Sequence, residues 1–364
     1  MKNLVLVVFD CLRADFCFPE GPPFIEQLKS MGESYTQYIS VATCTVPCFA
    51  SMLTGLYPET HGIKGHPTLR SMINDNEWSL KKEVITLPMI LKNHGYHTYA
   101  EVSDPLITQF HLDRGFDHYH VRDGNKINTF VPKFFEDLKI LINTFQEPYF
   151  FLLHLFDLHS GPSCKKFENQ CKTLGELLKN RQNLILVVTG DHGETIKGGL
   201  RHGYHIKEQL VRIPLIIAGD GIEKAVITGQ YSQVDLLPLL LAKLGIPVTL
   251  PYKLPGDIRP REYAYMRAVG APLTEHNWMV GIRTEQYKFI THPWDEAAHD
   301  ELYSLSDEKQ VLITKHGEVA NELRNKLQGV MKDAEHLTLE DSPGWTKEDE
   351  AVVIDRMKKL GYMD

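Results

Sequence analysis

Five apolar segments of strand length, separated by segments with helical patterns, constrain the fold of this 364-residue chain most strongly. An apolar run without polar alternation is typical of a parallel strand that is buried on both faces. Alternation of such strands with helices predicts an α/β fold with a mostly parallel central sheet and helices on both faces. The strand-like segments are 4–9, 98–102, 149–155, 184–189 and 213–218, and the helical segments are about 23–31, 47–54, 84–94, 131–144 and 233–244.

The pattern of residues in the sequence changes near residue 250. PYKLPGDIRPRE is a proline-rich connector, VGIRTEQYKFIT has the pattern of antiparallel strands, and GEVANELRNKL has that of a helix. Residues 346–360 have the pattern of an amphipathic helix, which can dock on the body or on a second subunit. We therefore predict a catalytic domain at 1–250, a small α+β subdomain at 251–335 and a helical tail at 336–364.

Acidic residues and histidines follow three of the apolar strands. Asp10 ends the first run, and Asp191 and His192 follow the run at 184–188. In open α/β sheets, ligands and metals gather at the carboxyl ends of the strands. Asp10 alone could cap a helix, and a lone buried histidine is usually a hydrogen-bonded core residue. The combination favours a metal site. Further candidates after strands are His154, Asp157, His159, His202 and His205.

The segment TCTVPCFASMLTG, at 43–55, has the pattern of a nucleophile loop followed by a short helix. Pro47 suits the first turn of a helix, so Thr45 is expected just ahead of it. Free N–H groups and the helix dipole favour an anion there, and a metal can activate a hydroxyl to attack an anionic ester. The alternative is an ordinary N-cap threonine.

The order of motifs closely resembles the sulfatase branch of the alkaline phosphatase superfamily. The resemblance begins with the first strand and DCLRAD, and continues with SMLTGLYPETHG and TLPMILKNHGYHTY. It extends through LDRGFDHY, HLFDLHSGP, GDHGE and the RHG segment that leads into VRIPLIIAG. VDLLPLLLAKLGIP and the two C-terminal segments VGIRTEQYKFIT and ELYSLSD complete it. The resemblance implies an alkaline phosphatase-like fold and chemistry at phosphate or sulfate esters.

Departures from the sulfatase pattern bear on the chemistry. Sulfatases carry C-x-P-x-R, whose cysteine or serine becomes formylglycine. This chain has Thr45 at the nucleophile position and Phe49 in place of the arginine. Threonine does not give an aldehyde, so the chain resembles the threonine-bearing phosphodiesterases, phosphonate ester hydrolases and phosphoglycerol or phosphoethanolamine transferases. The Asp-Asp pair of many sulfatases is here Asp10-Cys11, with one fewer hard oxygen ligand for calcium.

Carried over to this sequence, the resemblance implies two groups of ligands. Asp10, Thr45, Asp191 and His192 would hold one divalent cation. Asp157 and His202, with His159, would hold a second cation or contact the oxygens of the substrate. His154 and His205 are outer-sphere candidates or ordinary hydrogen-bonded histidines. One or two cations are expected, and the histidines favour manganese or zinc over calcium or magnesium.

The resemblance implies a metal-dependent hydrolase of phosphate diesters or phosphonate monoesters that acts through phosphothreonine at Thr45, with His159 and His202 as further catalytic candidates. The alternatives are a sulfate ester hydrolase without formylglycine, a phospho-headgroup transferase, and a non-catalytic binding protein on the same fold. The natural substrate and leaving group are beyond what the sequence specifies.

Composition and charge limit the kinds of partner that are expected for this protein. The formal charge of −8 and the lack of a basic run argue against nucleic-acid binding, so a small anionic ester is the expected substrate. No stretch approaches the ~20 apolar residues that span a bilayer, so no membrane insertion is expected. The six cysteines form no secreted framework, which favours a cytoplasmic enzyme. A homo-oligomer through the C-terminal region is an open expectation.

Overall fold

A computed structural model describes most of the chain, and the predicted helix at 346–360 lies outside the described residues. The described residues are 1–65, 79–103, 110–122, 132–159, 161–178, 181–195, 202–247, 250–268, 278–293, 295, 299–306, 309–311 and 313–336.

An eight-stranded sheet with the order β4-β3-β5-β1-β6-β7-β2-β8 forms the centre of the described structure. Its central strand, β1, pairs in parallel with β5 on one side and β6 on the other. This sheet confirms the predicted α/β class. Its strands are β1 (Asn3–Phe9), β2 (Gly32–Ile39), β3 (His97–Val102), β4 (His118–Val121), β5 (Tyr149–Leu155), β6 (Leu184–Gly190), β7 (Arg212–Gly219) and β8 (Ala225–Ser232).

The sheet is mixed, because β7 runs antiparallel to both of its neighbours, β6 and β2. Neighbouring parallel strands need a crossover connection of a dozen or more residues, which is usually an α-helix. In the described part of the β6–β7 connection, only the four residues Glu208–Val211 are α-helical. The apolar segment predicted at 213–218 is a strand, but it runs antiparallel to β6.

The apolar run of β1 is continuous because the strand is buried on both faces. Leu4, Leu6 and Val8 belong to one hydrophobic cluster, whereas Val5, Val7 and Phe9 belong to the cluster on the opposite face. All six are at most 1% exposed. Side chains alternate between the faces of a strand, so this burial fixes the register of the strand in the sheet.

Helices cover the sheet on both faces. Among the described residues, no helix is both long and apolar enough to cross a membrane. The α-helices are α1 (Pro23–Met31), α2 (Thr45–Thr54), α3 (Pro58–His61), α4 (Leu87–Asn93), α5 (Pro132–Ile142), α6 (Cys164–Leu178), α7 (Glu208–Val211), α8 (Leu236–Leu244) and α9 (Gly317–His336).

A second, antiparallel sheet has the order β13-β12-β11-β10-β9 and lies within the predicted C-terminal subdomain. Arg267 of this sheet donates its backbone N–H to Val41 O at 2.9 Å, next to the segment that leads into α2. The small sheet therefore contacts the segment just before α2. The division of the chain at residue 250 stays a prediction. Its strands are β9 (Ala264–Ala268), β10 (Met279–Arg283), β11 (Tyr287–Thr291), β12 (Glu301–Ser304) and β13 (Lys309–Val311).

His61, at the end of α3, is hydrogen-bonded to Ser51 of α2. Its Nδ1 accepts the Ile63 N–H at 3.2 Å, so the neutral ring carries its proton on Nε2, 3.1 Å from Ser51 Oγ. Burial, with added repulsion from Lys81 and Arg267, lowers the pKa of His61 to about 3. The imidazole is therefore neutral in the folded protein at any ordinary pH.

This buried histidine predicts acid sensitivity. Below about pH 6.5 the unfolded chain gains a proton at His61, but the folded protein does not until about pH 3. The free energy of unfolding therefore falls as the pH falls through this window. In His61→Gln, the slope of that fall should be shallower by up to about 1.4 kcal/mol per pH unit. Urea unfolding between pH 6.5 and pH 3 measures it, and parallel slopes for both proteins would contradict the assignment.

Candidate active site

Two buried carboxylates lie side by side at the carboxyl ends of adjacent strands. Asp10 follows β1 and Asp191 follows β6, and Phe9 pairs with Gly190 in the parallel ladder. The Asp191 N–H donates to Phe9 O at 3.3 Å. Both aspartates are 0% exposed. The parallel pairing of two apolar strands is what brings together carboxylates that are 181 positions apart in the sequence.

Thr45 is the first residue of α2, so the helix begins two residues earlier than the predicted start at 47. Pro47 falls in the first turn, where its missing N–H costs nothing. The Thr45 hydroxyl donates towards Asp10 Oδ2 at 3.3 Å, and Oγ1 lies 3.4 Å from His192 Nε2. Thr45 is partly exposed although its neighbours in α2 are buried.

The Nε2 atom of His192 faces Thr45 Oγ1 and Asp191 Oδ2. Its Nδ1 lies 2.8 Å from Gly193 O, an acceptor, so the neutral ring keeps its proton there. Nε2 then carries a lone pair, yet it lies 3.4 Å from Asp191 Oδ2, which is also an acceptor. These two buried acceptor atoms face each other without a proton between them, so a cation bound by both would stabilise their arrangement.

The donor atoms fit a divalent cation. Asp191 Oδ1 accepts N–H bonds from Cys11 at 3.0 Å and His192 at 2.7 Å, whereas Oδ2 has no hydrogen-bond donor among the described residues. Asp10, His154 and Asp191 offer ligand atoms within 4.8 Å of one another. Buried carboxylates are costly unless a cation balances them, and oxygen and imidazole donors are common ligands of divalent cations.

A second set of side chains adjoins the first. His202 Nδ1 is hydrogen-bonded to the Glu194 carboxylate, and the His202 ring lies 4.7 Å from the ring of His192 and 4.9 Å from that of His159. Burial opposes ionisation of Glu194, but the bond and charge of His202 outweigh it and lower the pKa of Glu194 to about 2. A carboxylate on Nδ1 fixes the orientation of the imidazole ring.

Asp157 lies in the loop after β5, where Gln170 of α6 donates to its Oδ2 at 2.9 Å. Burial raises the pKa of Asp157, while the charge of Arg122 opposes that shift. Its predicted partnership with His202 as a ligand pair stays a prediction. His205 lines a different cavity, together with Lys207, Glu301 and Tyr303.

Two residues of the site, Cys11 and Gln233, were not predicted from the sequence. His154 was predicted only as an outer-sphere candidate, and its Nε2 lies 3.7 Å from Asp10 Oδ2. Gln233 ties the site to the chain before α2: its Nε2 donates to Asp191 O at 2.6 Å and its Oε1 accepts from Val41 N at 3.0 Å. Cys11 lies against the histidines. Adjacency to Asp10 was the only sequence signal for Cys11, and no pattern marked Gln233.

Gly193 permits the close approach of α7 to the site. A Cβ at this position would lie 1.9 Å from Gln209 O, and the Gly193 N–H donates to Leu210 O at 2.8 Å. We expect Gly193→Ala to displace α7 and His192, and to destabilise the protein by about 3 kcal/mol. Thermal unfolding measures it. Gly329→Ala is the control, since a Cβ there meets nothing within 4 Å and alanine favours the helix. Equal melting temperatures of both variants would contradict the expectation.

Comparison with known proteins gives a consistent picture. The family model described as Sulfatase matches residues 2–176 and 171–246. Among curated proteins, GPI ethanolamine phosphate transferase 2 of Eremothecium gossypii is 25% identical over an alignment of 296 residues that covers 68% of this chain and 34% of that protein. The protein of the same name from Kluyveromyces lactis is 28% identical over an alignment of 216 residues that covers 53% of this chain and 26% of that protein. The chain thus spans about a third or less of the length of these relatives.

Solved structures with the same fold include enzymes of two kinds. A 2-O GAG sulfatase superposes with a TM-score of 0.75 at 15% identity, covering 94% of this chain and 95% of that one. The phosphonate monoester hydrolase of Agrobacterium radiobacter superposes with a TM-score of 0.72 at 14% identity, covering 92% and 96%. At these identities the similarity establishes the fold alone.

Proposed function

The chain belongs to the sulfatase family, and from this premise we propose that it is a metal-dependent hydrolase of phosphate diesters or phosphonate monoesters with Thr45 as its nucleophile. The family and fold support an enzyme that acts on sulfate or phosphate esters. The phosphate preference and the role of Thr45 are the parts that we add.

The observation that carries the proposal is the position of the Thr45 hydroxyl. It lies at the start of α2, 3.3 Å from Asp10 Oδ2 and 3.4 Å from His192 Nε2. A threonine cannot become formylglycine. Phe49 occupies the place of the sulfatase arginine, with its ring 4.8 Å from that of His154, so that cationic contact to a substrate is missing at this position. Both features favour attack by an alkoxide on a phosphorus ester.

The residues of the site support a two-step mechanism. Thr45 Oγ1 passes its proton to Asp10 Oδ2 and attacks phosphorus, so that a P–O bond to Thr45 forms while the bond to the leaving alcohol breaks. His159, or His202 when no second cation is bound to it, is suited to protonate the leaving oxygen. Water then attacks phosphorus and gives a proton back to the same histidine, while the bond to Thr45 breaks and Thr45 Oγ1 takes back the proton from Asp10. With a diester, that intermediate is a phosphothreonine that keeps the second alcohol of the substrate.

Asp10, Asp191 and His192 would hold the divalent cation together with Thr45, and His154 lies within reach of the same position. When bound, the cation lowers the pKa of the nucleophile and stabilises the charge on the phosphoryl oxygens. We propose manganese or zinc, with a second cation at Asp157 and His202, next to His159.

A second candidate function is transfer of a phospho-headgroup to an acceptor alcohol. It is favoured by the curated relatives, whose names describe ethanolamine phosphate transfer. The same covalent intermediate serves both reactions, since an alcohol can replace water in the second step. The expectations about partners and location stay predictions. They are a small anionic ester as the partner, no nucleic acid, no membrane insertion, a cytoplasmic location and a homo-oligomer through the C-terminal region.

Hydrolysis of bis-nitrophenyl phosphate and of the matching nitrophenyl sulfate tests the proposal. The protein is first stripped of metal and then given manganese or zinc. We expect metal-dependent hydrolysis in which kcat/KM for the phosphate diester exceeds that for the sulfate. A preference for the sulfate ester would overturn the proposed chemistry. If added acceptor alcohols raise the yield of transfer products over hydrolysis, the transferase is the better description.

A further inference from the structure

The short helix α7 is hydrogen-bonded to two segments that carry site residues. Leu210 O accepts the N–H of Gly193 at 2.8 Å, and Gly193 directly follows the proposed ligand His192. Val211 O accepts the N–H of Ser40 at 2.8 Å, in the segment between β2 and α2. One turn of helix therefore contacts both the chain next to a cation ligand and the chain that leads to the nucleophile.

A third contact of α7 is made with the chain that follows Asp10. Arg13 lies three residues after Asp10. Its Nη1 donates to Gln209 Oε1 and to Glu194 O, at 3.3 Å each. The Glu194 carboxylate is in turn hydrogen-bonded to His202. The segments after β1 and β6 thus meet at α7, so a displacement of this helix would move both of them.

Glu208, the first residue of α7, anchors the helix to the small sheet. Its carboxylate accepts from Arg283 Nε at 3.1 and 3.2 Å and from Lys288 Nζ at 3.1 Å. All three residues are buried, with at most 7% of each exposed. Burial opposes ionisation of Glu208, but the charges of Lys288 and Arg283 outweigh it and lower the pKa of the carboxyl. The anchor is therefore a buried carboxylate between two cations.

The two cations depend on Glu208 because they lie on neighbouring strands of the small sheet. Arg283 of β10 and Lys288 of β11 are directly opposite each other in the antiparallel pair, where like charges repel. Arg283 also donates to Gln37 Oε1 of β2 at 2.8 Å and to Gln230 Oε1 of β8 at 2.6 Å. The large sheet thus fixes the guanidinium, and the guanidinium fixes the carboxylate at the start of α7.

We propose that Glu208 is a positioning residue of the active site, which holds α7 where this helix sets the separation of His192 and Thr45. The proposal rests on the proposed function, since these two residues are the cation ligand and the nucleophile of that mechanism. The side chain of Glu208 faces the small sheet, so it acts through the hydrogen bonds of α7. A misplacement of about 1 Å that originates far from the reacting atoms can lower a rate about a hundredfold.

Metal binding to the metal-free protein tests the anchor without any turnover. Glu208→Gln keeps the size of the side chain but removes its charge, so α7 should shift and manganese or zinc should bind at least about tenfold more weakly. Titration calorimetry measures this at a temperature where circular dichroism shows the variant to be folded. A variant that is less stable but folded, with His192 undisturbed, would bind as the wild type does, and that result would overturn the proposal.

Glu33→Gln is the matched control for Glu208→Gln. It removes the same charge from another ion pair, that of Glu33 with Lys243 of α8, and Glu33 lies at the end of β2 away from Ser40. This variant should keep the metal affinity of the wild type. A loss as large as that of Glu208→Gln would mean that any broken ion pair disturbs the site, and would overturn the specific role of Glu208.

A double variant covers the case in which Glu208→Gln does not fold. Glu208→Gln leaves two buried cations without a carboxylate, which is strongly destabilising. Adding Lys288→Met removes one of them, so the double variant carries the net charge of the wild-type group. It should melt at a higher temperature than Glu208→Gln, yet still bind manganese or zinc at least about tenfold more weakly than the wild type. Wild-type affinity in the double variant would overturn the proposal.

Steady-state kinetics separate this proposal from the proposed function. At saturating metal, Glu208→Gln should lower kcat for bis-nitrophenyl phosphate about a hundredfold and change KM much less, because the substrate contacts are retained. If the wild type hydrolyses the diester and the folded Glu208 variants equal it in kcat and metal affinity, Thr45 chemistry stands and the anchor fails. If metal binding weakens as expected but the wild type hydrolyses neither phosphate nor sulfate esters, the anchor stands and the proposed function fails.

Discussion

Thr45→Ala is expected to lower kcat/KM for phosphate diesters by at least about a thousandfold, or about 4 kcal/mol of transition-state stabilisation. The substitution removes the hydroxyl that forms the covalent ester in the proposed mechanism. The cation and the substrate could still bind, but only direct attack by water would remain. Initial rates with bis-nitrophenyl phosphate at saturating metal measure the effect.

Thr45→Ser is the matched control for this substitution. Serine keeps the hydroxyl and loses only a methyl group, so it should retain activity within about tenfold of the wild type. Near-wild-type turnover in Thr45→Ala would show that the hydroxyl is not the nucleophile. Equal losses in both variants would mean that the methyl group and the packing of α2 matter more than the hydroxyl.

The second large effect is expected for Asp191→Asn. Asparagine can keep the two N–H bonds that Oδ1 accepts from Cys11 and His192, but it replaces Oδ2 with an N–H₂ group. The proposed cation then loses a charged ligand, and the new donor points at its position. We expect metal affinity to fall at least about a hundredfold. Activity at limiting metal should fall in proportion, as measured by titration calorimetry and initial rates.

Asp220→Asn is the control for the lost charge, because Asp220 is exposed and follows β7 at the far end of the sheet. It should leave metal affinity unchanged. Ligand binding also stabilises the fold, so wild-type protein should gain thermal stability on addition of metal, and Asp191→Asn should not. Equal metal-induced stabilisation in wild type and Asp191→Asn would remove Asp191 from the ligand set.

The buried strands were predictable because burial on both faces leaves a continuous apolar run. This is true of β1, β5 and β6, which lie in the middle of the sheet and carry Asp10, His154 and Asp191 at or near their ends. Because ligands gather at the carboxyl ends of the strands in such sheets, the sequence also predicted that these residues lie close together.

The strands that the sequence did not reveal have mixed or exposed patterns. The segment GESYTQYI of β2 alternates polar and apolar residues irregularly, with a bulge between Tyr35 and Gln37 in its pairing with β8. Strand β8 is at the edge of the sheet, and Val226 within it is 66% exposed. β4 is a short edge strand with two exposed histidines. Polar residues are tolerated at edges, so periodicity carries little signal there.

Local chemistry in the site was less predictable than its location. Pro47 correctly indicated a first helical turn, but proline tolerates several positions in that turn, so the start at Thr45 was missed by two residues. Cys11 follows β1, whereas His192 and His202, whose Nδ1 atoms lie close to its Sγ, come after β6 in the sequence. Such a contact depends on the path of the chain in space, and no spacing within the sequence encodes it.

The stereochemical course at phosphorus is the most direct test of covalent catalysis by Thr45. One enantiomer of a chiral thiophosphate diester is hydrolysed in isotopically labelled water, and the configuration of the product is determined. Each in-line displacement inverts phosphorus, so attack by Thr45 followed by attack by water should give net retention. Net inversion would mean that water attacks the substrate directly, and would contradict the central claim.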